Sequence, residues 1–156
     1  MGADNPLKHF VAAFVLAIVC YSAFYYGIEY RRTRKGPWQV AFAHNASGEP
    51  FVLVNQPALA ISHVTLAFPD ETSPSTNMED KPYFGQPRPV PYPVAFGQCI
   101  FMDTTFLPGT LTFRLFNHEI ELLPRVLIID HEEYPWLSGT NIVLRRLPAP
   151  VQPPKQ

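Results

Sequence analysis

The chain has 156 residues, 47% of them hydrophobic and only 16% charged, with 12 Lys and Arg against 13 Asp and Glu. That balance excludes a broadly basic nucleic-acid binder, which carries a strong positive excess, and two cysteines exclude a disulfide-dense scaffold. Eighteen prolines against eight glycines make stiff extended chain commoner than loose linker.

In chain order, residues 1–9 form a short tail holding one acid, Asp4, and one base, Lys8. Residues 10–28, FVAAFVLAIVCYSAFYYGI, then run 19 positions without a charge. At ~1.5 Å per residue such a helix is about 28 Å long, close to the hydrocarbon thickness of a bilayer. A transmembrane helix is therefore expected over residues 10–30. Pro6 stands where a helix start tolerates proline, and Tyr21, Tyr25, Tyr26 and Tyr30 crowd the second half as interfacial aromatics do. A cleaved signal peptide is the rival reading, but a dense basic cluster rather than a small-x-small cleavage site follows the run. Val19 and Ile18 before Cys20 fit a lipoprotein site poorly. An all-round apolar run of this length is rarely the core helix of a soluble protein.

Residues 31–37 are a basic collar in which Arg31, Arg32, Arg34 and Lys35 read as a membrane topology signal. Four bases follow the span and one precedes it, so the positive-inside rule puts the N-terminus outside and the rest in the cytoplasm. The collar could also attract anionic lipid; a topology signal alone accounts for it. With the opposite orientation, the sequon Asn45-Ala46-Ser47 would matter in a glycosylating host. Within the span, Ala13 with Ala17 and Ala23 with Gly27 repeat four apart, the spacing that admits a close helix neighbour.

Residues 38–147 are expected to form a β domain. From position 36 onward there are 7 bases and 11 acids, so this part is acidic, unlike the collar. Its apolar residues come in short β-branched and aromatic runs broken by Pro, Gly, Asn and Asp. Eight strands are expected, at 38–43, 51–54, 59–68, 94–102, 111–116, 119–123, 125–129 and 141–147. The fold class is therefore all-β: a small antiparallel sandwich or partly open barrel preceded by one N-terminal transmembrane α-helix. A two-residue turn at Asn117-His118 would set Leu115 opposite Ile120, Phe113 opposite Leu122 and Arg114 opposite Glu121. Residues 126–129 are apolar at consecutive positions, as in a strand covered on both faces. Pro135 places 134–136 at an edge or bulge. A proline-rich arm at 69–93 carries seven prolines; it must be extended and reads best as a stiff loop over the domain. Residues 148–156 read as a disordered proline-rich tail.

Chemistry-bearing patterns are sparse. His118, Glu119 and Glu121 with Asp130, His131, Glu132 and Glu133 are the best metal candidates, but they read as turn and solvent-facing residues without ligand spacing. Cys99 lies in the apolar run GQCIFM, the setting of a small buried hydrophobe. Ser62 and His63, adjacent on a strand, point to opposite faces. Catalytic signatures such as GxSxG, a P-loop or GxGxxG are absent. The expected role is non-catalytic: a single-pass, membrane-anchored binding or accessory subunit. Its partners would be the lipid bilayer and a protein partner or second copy, with no cofactor, metal, nucleic acid or small-molecule ligand. The runners-up are an outward-facing envelope or secretion-apparatus component and a membrane-proximal enzyme.

Overall fold

The computed structural model describes residues 6–73 and 79–147. Helix α1 (Pro6–Thr33) covers 28 residues, about 42 Å of helix. It starts earlier and ends later than the apolar run alone implies. Arg31 and Arg32 continue its last turn, and Gly36 at φ 68° closes it, with its N–H bonded to Thr33 O. A glycine suits this left-handed position because a Cβ there is strained. The collar is thus the end of the helix plus one turn, not a linker.

Ten strands follow: β1 (Gln39–His44), β2 (Pro50–Gln56), β3 (Ile61–Ala67), β4 (Tyr92–Val94), β5 (Gly97–Asp103), β6 (Thr110–Leu115), β7 (His118–Leu122), β8 (Leu127–Ile129), β9 (Glu132–Tyr134) and β10 (Asn141–Val143). They form a sheet ordered β1-β2-β3-β10 and a second ordered β4-β5-β6-β7-β8-β9. Every pairing is antiparallel except β10 with β3. That parallel pair departs from the antiparallel expectation for a simple reason. β9 finishes at the end of the domain where β3 begins, so the chain crosses to the first sheet and starts β10 there. The inward faces of both sheets share one core, in which Val52, Val54, Leu66 and Phe42 meet Leu111, Phe113, Ile120 and Leu122.

Eight of the strands answer to the expected ones. The added pair, β4 and β9, are edge strands of three residues, too short for alternation to declare itself. Each is marked by proline, Pro93 within β4 and Pro135 just after β9. Residues 127–129 form the strand next to the edge, and Ile128 is only half-buried, so the double-faced cover expected there is partial. Residues 148–156 and the first five residues of the N-terminal tail lie outside the described part.

The hairpin register differs from expectation by two residues. The turn is Phe116-Asn117, both at positive φ (51° and 87°), the geometry of a type I′ turn. Leu115 therefore faces His118, Phe113 faces Ile120, and Arg114 faces Glu119, with 3.7 Å between the Arg114 and Glu119 charges. A shift of two keeps every side chain on its own face, so the apolar pattern satisfies both registers and the turn decides. A second such turn, Asp130-His131 (φ 51° and 71°), joins β8 to β9.

Residues 79–83 of the arm lie along the outer edge of the first sheet, beside β1, while its last residues enter β4 of the second. Asp80 and Phe42 exchange backbone hydrogen bonds of 2.9 and 2.8 Å, and Phe84 is fully buried, its ring 5.4 Å from that of Phe113. The arm therefore both completes the core and covers a strand edge that would otherwise offer itself for pairing.

Candidate functional site

The strands run between two ends of unlike chemistry. At the helix end lie segments 34–38, 57–60, 104–109, 123–126 and 135–140. At the far end lie the turns at 45–49, 95–96, 116–117 and 130–131, with 68–73 and 144–147.

The helix end is tightly built. Leu107 N–H donates to Arg32 O at 2.8 Å, so the β5–β6 loop is bonded to the last turn of α1. The Gln56 amide donates to Gly36 O and Pro37 O at 3.0 and 2.9 Å. Trp38 Nε1 donates to Gly109 O at 3.0 Å, and its ring lies 5.2 Å from that of Trp136, whose own Nε1 donates to Leu123 O. Gly109 has φ 74°, and a Cβ there would meet Asp103 O at 1.8 Å. Asp103 accepts the Thr105 N–H, and hydrogen bonds from Thr105 hold its carboxyl below the ordinary carboxylate range.

Of the collar residues, Arg32 pairs with Glu29 at 3.3 Å. Arg31, Arg34 and Lys35 are exposed. The five helix-end segments contain Arg34, Lys35 and Arg125 and no acid. On α1 no side chain is buried. At ~100° per residue, Ala13, Ala17, Ala23 and Gly27 fall within one arc of about 120°, and nothing else in the chain lies within 4 Å of a Cβ placed on Gly27.

The far end holds the polar groups. His118 is the first residue of β7 and faces the core with Ile120 and Leu122, 2% exposed. It is therefore not a turn residue, as a turn at Asn117-His118 would make it, because the turn closes one residue earlier. Its Nδ1 lies 2.6 Å from Asp130 Oδ2, while Asp130 Oδ1 accepts the Glu119 N–H at 2.9 Å. Its Nε2 is buried without a hydrogen-bond partner among the described residues. The ring sits 6.0 Å from Phe68, which leads through Phe116 and Phe96 to His44 by ring separations of 5.2, 5.5 and 5.3 Å. Beside this row, Arg146 makes a bidentate pair with Glu71 at 3.0 and 2.9 Å and donates to Asp70 O at 2.8 Å. The Arg146 guanidinium holds the Glu71 carboxyl below its ordinary range. An Asp-oriented imidazole is half of a general-base arrangement, but here the working nitrogen is sealed in the core and no hydroxyl or thiol is hydrogen-bonded to it.

The other candidates are not brought together. Ser62 and His63 are both exposed, because His63 sits at φ 54° in an irregular step opposite Asn55 and donates its N–H to Asn55 Oδ1. Cys99 is buried between Tyr92 and Phe113, and burial raises its thiol pKa. Among the described residues no three His, Cys, Asp or Glu side chains converge as a metal site requires. A groove of about 410 Å³ runs between the arm and the outer face of β1 and β2, lined by Ala41, Leu53, Asn55, Lys81 and Tyr83; the Lys81–Glu79 ion pair, 2.9 Å, stands at its rim. Comparison with family models, curated proteins and solved structures found no match for this chain.

Proposed function

We propose that the protein is a single-pass, membrane-anchored β domain that serves as a non-catalytic binding or accessory subunit of a membrane-associated assembly. The observation that carries this reading is α1: 28 residues, with residues 10–28 uncharged on all sides and no side chain buried by the rest of the described chain. A surface of that kind needs lipid or another apolar partner. The helix passes into the two-sheet sandwich through a single capped turn, so whatever holds the helix also positions the domain. The count of bases on either side of the span favours a cytoplasmic domain with the N-terminus outside. The small-residue arc of Ala13, Ala17, Ala23 and Gly27 supports pairing with a second helix.

The test is extraction of the full-length chain from its membrane in mild detergent, followed by mass determination of the complex. A mass above that of one chain is expected, and Gly27→Leu is expected to reduce it if the arc is the contact. A clean monomer without companions would overturn the assembly role. Sidedness is read with a membrane-impermeant maleimide on Asn117→Cys in sealed vesicles. Cys99 is unsuitable for that purpose, since it is buried. Labelling from outside would assign the domain to the outer face and favour an envelope component.

A further inference from the structure

We infer that the helix end of the domain rests on the headgroup layer of an anionic bilayer. Phe106 and Leu137 enter the interface there, and Arg125, Arg34 and Lys35 face lipid phosphates. The inference rests on the reading of α1 as a membrane span and adds a second contact to it.

Depth is the first argument. The uncharged run ends at Ile28, and Arg32 lies four residues further on, about 6 Å along the axis. The headgroup layer occupies about 5–8 Å on each side of the hydrocarbon. The Arg32 carbonyl therefore falls within that layer, and Leu107 is hydrogen-bonded to it at 2.8 Å. The β5–β6 loop is held at headgroup depth by this bond.

Exposure is the second argument. Phe106, beside Leu107, is 57% exposed, and Leu137 on the β9–β10 connection is 59% exposed. Both belong to the helix end. The Leu137 segment is tied there by the Trp136–Trp38 ring contact and by Ser138 Oγ, which donates to Ala60 O at 2.9 Å. Two apolar side chains on separate loops at one end of a domain are poorly placed for water and well placed for an interface.

Charge is the third argument. The five helix-end segments hold Arg34, Lys35 and Arg125 and no acid, and the Asp103 carboxylate at their border offsets one of those three charges. Glu49, Asp70, Glu71 and Asp130 lie at the far end with Arg145 and Arg146, so that end is net acidic, while Glu119, Glu121, Glu132 and Glu133 are carried on the strands between the two ends. This asymmetry matches an anionic surface on the helix side, where each nearby base adds attraction.

The experiment uses the full-length chain with Cys20→Ser in nanodiscs of phosphatidylcholine with phosphatidylglycerol. Nitroxide labels are placed singly at Phe106→Cys, Leu137→Cys, Asn117→Cys and Phe14→Cys. Collisions with oxygen and with a water-soluble nickel chelate report depth. The expected result is loss of nickel access at 106 and 137 relative to 117, with partial recovery in phosphatidylcholine alone. Water-like exposure at Phe14 would refute the span itself, and the inference with it. Lipid-like exposure at Phe14 combined with water-like exposure at Phe106 or Leu137 overturns the inference alone. Equal protection in phosphatidylcholine alone overturns its charge component.

Discussion

Phe116 occupies the left-handed region at φ 51°, where a bulky residue costs roughly 1–2 kcal/mol. Glycine would relieve that cost, yet the substitution is expected to destabilise. The Phe116 ring stacks on Phe96 at 5.5 Å and meets Phe68 at 5.2 Å. Each such contact is worth about 0.5–1.5 kcal/mol beyond its buried area, and glycine adds about 0.5–1 kcal/mol of backbone entropy. Phe116→Gly should therefore lower stability by about 1–2 kcal/mol, read as a shift in the urea midpoint; a rise in midpoint would mean strain outweighs packing. Asp130 presents a different case, since one carboxylate serves both the His118 ring and the Glu119 N–H. Asp130→Ala leaves a buried imidazole without any partner, at a cost of about 1–3 kcal/mol. Asp130→Asn keeps an acceptor for Glu119 and a polar partner for the ring, and Asn tolerates positive φ. It should retain most of the stability at pH 8. Equal losses in the two variants would show that the charge, rather than the hydrogen-bond geometry, is what the fold needs.

Among elements, residues 144–147 are fastened to residues 68–71 by Arg146. The sign of the pH dependence follows from Glu71, whose folded pKa lies below its ordinary 4.5 because Arg146 bonds it. The clamp is fully present above the ordinary value and fades as pH falls through the lowered folded one. Thermal melts of the native chain and Arg146→Ala should thus differ at neutral pH and converge in acid; a constant difference would deny the carboxylate its part. No sequence pattern announces this pair, because 75 positions separate its members. The helix, by contrast, was legible from an uninterrupted apolar run, and most strands from β-branched and aromatic clusters. The β6–β7 register was not, since an even shift leaves the alternation untouched and a Phe in a type I′ turn breaks the usual residue preference. Carrying the alternation Leu122, Ile120 back one further step would have put His118 on the buried face. Of the two short edge strands, β9 is announced only as an edge position by Pro135, and β4 stays hidden because Pro93 within it reads as loop.

At the scale of the molecule, helix and domain are joined by backbone rather than by packing. No α1 side chain is buried, and the Leu107 N–H to Arg32 O bond is the backbone hydrogen bond that the helix supplies to the strand-bearing part among the described residues. The Gln56 contacts go to Gly36 and Pro37, which belong to the start of the domain. The core residues all lie from Trp38 onward. A chain beginning at Gly36 should therefore fold by itself, with about 110 residues enough to bury one core. Losing one hydrogen bond at an exposed loop costs about 0.5–1.5 kcal/mol, so its urea midpoint should lie just below that of the full-length chain in the same detergent buffer. The shortened chain should also stay dissolved without detergent, because the long apolar surface is gone. A shortened chain lacking β-type circular dichroism and a cooperative unfolding transition would show that the helix supports the fold, and the division of labour between an apolar helix and a self-sufficient two-sheet head would have to be abandoned.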